Sequence, residues 1–193
     1  MTNAKTPVNI YTDGACSGNQ HDENVGGWGA ILKYGRHTKE LRGGERNTTN
    51  NRMEMYALIA ALAALNRDGQ LVNVFSDSSY LTQCLRDKWY VKWGRNGWRT
   101  SAKSPVENRD LWERLISFLP KHEFRFYHIK GHVNPDEKRE KLQSLYDKFL
   151  ANNEAAVRAL GAFSCEDFLY AIRMNNRADA LANEGIAEIR AAE

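Results

Sequence analysis

The segment Asn51–Asn66 is dense in alanine, leucine and methionine and is apolar on nearly every side. Such residues form helices readily, and a helix that is hydrophobic all round has to be buried. The rest of the chain must therefore supply elements that enclose it. Short runs rich in strand formers precede it at Val8–Tyr11, Trp28–Tyr34 and Glu40–Arg46, and others follow at Leu71–Phe75 and Glu123–Ile129. Helical composition returns from Ser78, over Val106–Leu119, over Pro135–Met174 and over Asn175–Arg190. Three strands, a helix, a strand, helices, a strand and further helices predict an α/β fold, a five-stranded mixed sheet flanked by helices. A chain of 193 residues, 42% hydrophobic and 26% charged, is long enough to bury a core of its own, and 1–193 is read as one domain.

Several classes are disfavoured. The opening residues are polar and lack the apolar run of a signal peptide. The longest apolar run, Met55–Leu65, is far short of the roughly 20 residues that span a bilayer. Cys16, Cys84 and Cys165 are odd in number and scattered, which argues against zinc and for a reducing, cytoplasmic setting. The net charge of +3 is small, yet it is unevenly spread: six basic residues from Arg86 to Lys103 face one acid, Asp87, and alternate with Trp89, Trp93 and Trp98.

Four carboxylates stand at the ends of expected elements. Asp13 is read as ending the first strand and Asp77 as following the fourth. If these strands are parallel neighbours, both carboxylates face one crevice. Glu54 is placed in the first turn of the central helix and Asp179 in the first turn of the last one. Singly, each has an ordinary reading: a turn at Asp13-Gly14, a capping box from Asn51 to Glu54, a helix N-cap at Asp77, and a solvated helix residue at Asp179.

The surrounding residues give the four a common meaning. Tyr11-Thr12-Asp13-Gly14-Ala15-Cys16-Ser17-Gly18-Asn19, Thr48-Thr49-Asn50-Asn51-Arg52-Met53-Glu54 and Ser76-Asp77-Ser78-Ser79-Tyr80 resemble the first three motifs of type 1 ribonucleases H. Lys130-Gly131-His132 and Asn176-Arg177-Ala178-Asp179-Ala180-Leu181-Ala182 resemble the last, here split in two. The resemblance runs from about residue 7 to 132 and resumes near 175. It implies an endonuclease that hydrolyses the RNA strand of RNA–DNA hybrids and leaves 5′-phosphate and 3′-hydroxyl ends.

The same resemblance assigns roles. Asp13, Glu54, Asp77 and Asp179 would hold two Mg²⁺ ions, with Mn²⁺ as a substitute; one ion would activate the attacking water and the other would steady the departing 3′ oxygen. Oxygen donors without cysteine suit such hard cations, and four crowded carboxylates should raise at least one pKa. His132 would assist proton transfer or product release from a mobile loop. Cys16, Asn19 and Asn50 would lie along the minor groove, where the 2′-hydroxyl is displayed. Thr49, Asn51 and Asn108 would lie near the DNA strand. The basic segment, about 86–103, resembles the family's handle: its cations would contact phosphates without reading sequence. Trp89 and Trp93 would pack on deoxyribose or form the handle's own core; Trp98 and Trp112 are read as core. The enzyme is expected to be a monomer.

Two features depart from the family pattern. Ser79 stands where many relatives carry a glutamine. Between His132 and Asp179 there are roughly 35 extra residues, about 135–174, which are read as helices over Lys138–Ala151, Glu154–Leu160 and Glu166–Met174, with breaks at Asn152-Asn153 and Gly161. Leu142, Leu145, Tyr146, Phe149 and Leu150 form a stripe at helical spacing, and Ser164 with Asp167 resembles a capping box. The favoured expectation is a helical hairpin packed on the body; a lid, a hybrid contact or a partner-binding arm is the alternative. Asp136, Glu137, Asp147 and Asp167 are rival candidates for the fourth ligand, and the Ala180-Leu181-Ala182 context favours Asp179. Other readings are a junction resolvase, a non-catalytic hybrid-binding module, or a domain severed from a reverse transcriptase.

Overall fold

The computed structural model describes residues 6–18, 24–160 and 163–192; Asn19 and the break expected at Gly161 lie outside them. Five strands, β1 (Val8–Ser17), β2 (Val25–Tyr34), β3 (His37–Arg46), β4 (Leu71–Ser76) and β5 (Glu123–His128), form one sheet in the order β3-β2-β1-β4-β5. The first three are antiparallel, and β1, β4 and β5 are parallel. The mixed sheet expected from the sequence is present.

One face of the sheet carries Val8, Ile10, Val72 and Val74, and α1 (Asn50–Ala63) packs there. Met55, Leu58, Ala61 and Leu62 of α1 are all buried, as its all-round hydrophobicity requires. Helices α2 (Ser79–Arg86), α3 (Trp89–Arg95) and α4 (Arg109–Phe118) supply the rest of this core. Beyond α3 the handle continues as a turn closed by an antiparallel bridge between Arg99 and Pro105. Val106–Leu119 is shorter as a helix than expected, because Asn108 takes a left-handed conformation (φ 55°) just before α4.

The opposite face carries Tyr11, Ile31, Phe75 and Tyr127, and the extra segment covers it. Helix α5 (Arg139–Asn152) contributes Leu142 and Phe149, α6 (Glu154–Leu160) follows, and α7 (Cys165–Ala191) contributes Phe168, Ala171, Ile172 and Leu181. Aromatic rings bind this second core together: Phe75 stacks on Tyr127 at 4.6 Å, and Phe149 lies 5.2 Å from Phe163 and 5.3 Å from Phe168. The segment thus forms a packed layer of α5, α6 and the first half of α7 on this face.

The sequence-based boundary at residues 174–175 does not exist. Glu166–Met174 and Asn175–Arg190 form one 27-residue helix, opened by the Ser164–Asp167 capping box that the sequence suggests. Leu169, Tyr170 and Met174 touch the second core while the polar pair Asn175-Asn176 simply continues the helix, so nothing breaks the backbone hydrogen bonding at that point.

Candidate metal centre

Chain direction delivers the first two carboxylates. Strands β1 and β4 pair in parallel with Thr12 opposite Ser76, so Asp13 and Asp77 follow matched positions and meet. Asp13 does not end its strand, however. β1 runs on to Ser17 against β2, and Asp13-Gly14 is not a turn. Gly14 serves a different need: a Cβ there would lie 2.7 Å from the Met53 carbonyl carbon and closer still to the Glu54 nitrogen. Only glycine lets the start of α1 pass this near to β1. Glu54 is the fifth residue of α1, whose N-cap is Thr49, with its side chain accepting from the Arg52 N–H at 3.3 Å. The alternative reading of Glu54 as part of a capping box with Asn51 does not hold, because Thr49 is the N-cap, and the Glu54 carboxylate is left for the cluster.

Ligand atoms of Asp13, Glu54 and Asp77 lie within 4.8 Å of one another. Asp13 and Glu54 are each 4% exposed. Glu54 Oε2 and Asp77 Oδ1 are buried without a hydrogen-bond partner, and Asp13 Oδ1 accepts from the Gly14 N–H at 2.7 Å. Buried carboxylates crowded in this way resist ionisation. Asp13 is pushed up to about 8, first by burial and then by the charges of Asp77 and Asp179. Glu54 is raised well above its ordinary value by burial, then by Asp77 and Asp13. Burial also raises Asp77, against the opposing pull of a backbone hydrogen bond, His132 and His128. Two buried acceptor atoms without donors, in an all-oxygen set, fit a hard divalent cation.

Asp179 stands outside the tightest group but acts on Asp13 and Asp77 through its charge. It lies in the middle of α7, not in the first turn of a last helix. Its placement is fixed by glycines on the sheet. A Cβ on Gly29 would stand 2.7 Å from Leu181 Cβ and overlap the Ala178 carbonyl oxygen, and one on Gly27 would overlap that of Ala182. Helix α7 therefore rests directly on strand backbone. Arg177 pairs with Glu40 and Glu184, and Arg42 with Glu184 and Glu188, which fastens the helix to β3.

His132 is exposed, in a left-handed conformation (φ 53°), and close enough to Asp77 for its charge to act there. The loop is held from α7, where Asn176 Nδ2 donates to the Val133 carbonyl at 2.8 Å. Gly131 abuts the carboxylate cluster, since a Cβ there would lie 3.3 Å from Asp77 Cβ and nearer to its carboxylate.

The remaining sequence-predicted residues take up varied positions. Cys16, Thr49, Asn50 and Asn51 are exposed, and Asn108 is half-buried and accepts from Arg52 Nη1 at 3.3 Å. Trp93 is only 8% exposed and lies against Trp89, Trp98 and Trp112. It belongs to the handle's core, whereas Trp89 is half-buried and lines a groove of about 520 Å³ with Asn51, Tyr80, Lys92, Arg99 and Glu107. The sequence places Gly131 and Asn176 in motifs, Arg86 in the basic segment and Asn153 at a helix break, but it gives none of them, nor His128, a part in positioning the centre. A glycine pressed against an acid offers some signal; Asn153, read as a helix break, offers none.

A family model described as RNase H matches residues 5–156. The ribonuclease H of Chlorobium chlorochromatii is 52% identical over 128 residues, 66% of this chain and 85% of that protein. The ribonuclease H of Afipia carboxidovorans is 51% identical over 146 residues, 76% of this chain and 94% of that protein. Among solved structures, LC11-RNase H1 in complex with RNA/DNA hybrid superimposes with a TM-score of 0.52 at 20% identity, covering 94% of this chain and 98% of that one. The family match across most of the chain, on a sheet that brings the motif carboxylates together, means that this protein belongs to the ribonuclease H family.

Proposed function

We propose that Asp13, Glu54, Asp77 and Asp179 hold two Mg²⁺ ions, with Mn²⁺ able to take their place, at the centre where this enzyme cuts. As a ribonuclease H, the chain hydrolyses the RNA strand of RNA–DNA hybrids. The observation that carries the metal assignment is the buried three-carboxylate group with two acceptor atoms lacking donors. A pair of divalent ions supplies the charge that activates a water and stabilises the leaving oxygen in phosphodiester hydrolysis. The protein's share is to hold the donors rigid: Gly14 N–H orients Asp13, and the parallel β1–β4 pair fixes the spacing of Asp13 and Asp77. His132, exposed beside Asp77, is the group placed to carry a proton to or from the reaction.

Substrate recognition follows from the surfaces on either side. Cys16, Asn19 and Asn50 are assigned to the minor groove, where hydroxyl contacts distinguish RNA from DNA. Thr49, Asn51, Asn108 and Trp89 are assigned to the DNA strand, an assignment supported by Asn51 and Trp89 sharing the handle groove. LC11-RNase H1 is complexed with an RNA/DNA hybrid, and the same duplex is taken as the substrate here. The enzyme is taken to be a cytoplasmic monomer of a single domain; the three cysteines being free is in keeping with a reducing compartment.

The test is cleavage of a labelled hybrid with magnesium, manganese or chelator, beside Asp13→Asn and Asp179→Asn. Metal-dependent cuts confined to the RNA strand and lost in both variants support the assignment. Full activity in Asp179→Asn would remove that residue from the centre and return attention to Asp136.

A further inference from the structure

The extra helical segment does more than cover the sheet. β5 is an edge strand, and the backbone groups of His128 at its end would otherwise lack a neighbour. Asn153, the C-cap residue of α5, takes that place. Its Nδ2 donates to the His128 carbonyl at 3.0 Å and to the Phe149 carbonyl at 2.7 Å, and its Oδ1 accepts from the His128 N–H at 2.8 Å. Asn153 is 2% exposed, so one side chain mimics a paired strand residue in a dry setting.

Arg86 completes the junction. It is the last residue of α2 and the first of the basic segment, but its guanidinium is engaged by the junction and is not left for a phosphate. Its Nε donates to the Phe126 carbonyl at 2.9 Å, Nη1 to the Asn152 carbonyl at 3.2 Å, and Nη2 to Asn153 Oδ1. From His128 the connection continues to the metal centre, where the ring Nε2 donates to the Asp77 carbonyl at 3.2 Å. The root of the handle, the inserted helices and the backbone of Asp77 are thereby joined in one hydrogen-bonded chain.

We propose that this α5–α6 junction is a brace for the metal centre, with Asn153 and Arg86 as positioning residues that set Asp77 through His128. The inference rests on Asp77 being a metal ligand. Partners of this kind orient the residues that bind metal, and their loss reduces metal affinity or activity without removing a ligand. The brace also accounts for how the inserted segment is tolerated: it re-anchors the strand end from which the His132 loop departs.

The experiment measures the Mg²⁺ dissociation constant by calorimetry without substrate and the Mg²⁺ concentration for half-maximal cleavage, together with kcat and KM for the hybrid, in the full chain. Asn153→Ala and Arg86→Ala are expected to raise the Mg²⁺ requirement on the order of ten-fold and to lower kcat, with KM unchanged. His128→Phe, which keeps a ring but loses the donor to Asp77, should reproduce the effect, and Arg86→Lys should be milder than Arg86→Ala. Leu142→Ala, in α5 and outside the junction, controls for stability: its melting temperature should fall while its Mg²⁺ requirement stays that of the parent protein. If Asn153→Ala does not fold, Arg86→Ala and His128→Phe decide. Parental metal dependence in the folded junction variants would overturn the brace. Asp77→Asn separates the two ideas, because activity surviving in that variant would sink the ligand assignment itself.

Discussion

Replacing Asp13 by asparagine should make the metal-free protein more stable at alkaline pH, although it abolishes cleavage. The folded carboxyl is pushed from its ordinary value of 3.8 up to about 8 by burial and by the neighbouring acids. A proton held more tightly in the folded state than in the unfolded one stabilises the fold fully below about pH 4, and this contribution is lost as pH climbs through about 8. At about 1.36 kcal/mol for each pH unit, the span from pH 5 to 8 corresponds to roughly 4 kcal/mol. Glu54 shares the repulsion and takes up part of the proton, which reduces the expected difference to about 2 kcal/mol. Asparagine keeps an oxygen for the Gly14 N–H and removes only the charge, so it should escape this loss. Urea unfolding in chelator at pH 5 and pH 8 measures the effect: the variant's advantage should grow with pH by about that amount. Magnesium at a hundred times its dissociation constant should add about 2.7 kcal/mol to the parent protein and reverse the order at pH 8. A variant whose stability relative to the parent is the same at both pH values would refute the account of the cluster as a reservoir of repulsion.

Three further outcomes follow from the packing. Gly29→Ala forces a methyl into the Ala178 carbonyl; it should displace α7, costing about 2 kcal/mol and raising the Mg²⁺ requirement by shifting Asp179, as read from thermal melts and metal titrations. Phe149→Ala removes a ring packed between Phe163, Phe168 and Tyr127; about 3 kcal/mol of stability should disappear, measurable by urea unfolding. Lys92→Ala with Arg95→Ala should weaken hybrid binding uniformly across sequences and reduce the salt dependence by about one for each phosphate no longer neutralised; an unchanged slope would place the handle away from the duplex.

Much of the centre was legible because its parts obey local rules. Apolar runs followed by Asp13 and Asp77 would present both acids to one crevice if their strands were parallel neighbours, and β1 and β4 are such a pair. The all-round apolar helix had to be central, and α1 is. The errors arise where a residue answers to a distant partner. Asp13-Gly14 reads as a turn from its neighbours alone, but the glycine is there because α1 crosses it. Asn175-Asn176 reads as a boundary, but each residue is taken up by tertiary structure: Asn175 is 1% exposed and Asn176 holds Val133. The glycines of β2 and β3 offered a signal that strand backbone is approached closely, and they specify the seat of α7. Asn153 offered nothing, since its partners lie on an edge strand 25 residues away in sequence.

That seat explains how a long insertion can separate His132 from Asp179 without scattering the centre. Position along the chain matters less than what each carboxylate rests on. Asp13 and Glu54 are set by the β1–β4 pair and by the crossing of α1 at Gly14, neither of which involves the insertion, and the same pair spaces Asp77 from Asp13 before the Asn153 junction braces it. Asp179 is set by α7 lying on Gly27 and Gly29 and by the Arg177–Glu40 pair, contacts made by the second half of the helix. The first half of the same helix belongs to the inserted layer and packs through Phe168 and Ile172. Continuity of α7 therefore transmits the packing of the insertion to Asp179 as a rigid rod, while Asn153, in the middle of the insertion, connects it to Asp77 through His128. The inserted layer grips the centre at two carboxylates, Asp77 and Asp179, so substitutions that loosen its core should be felt as altered metal binding only when they let α7 slide or let the Asn153 junction open.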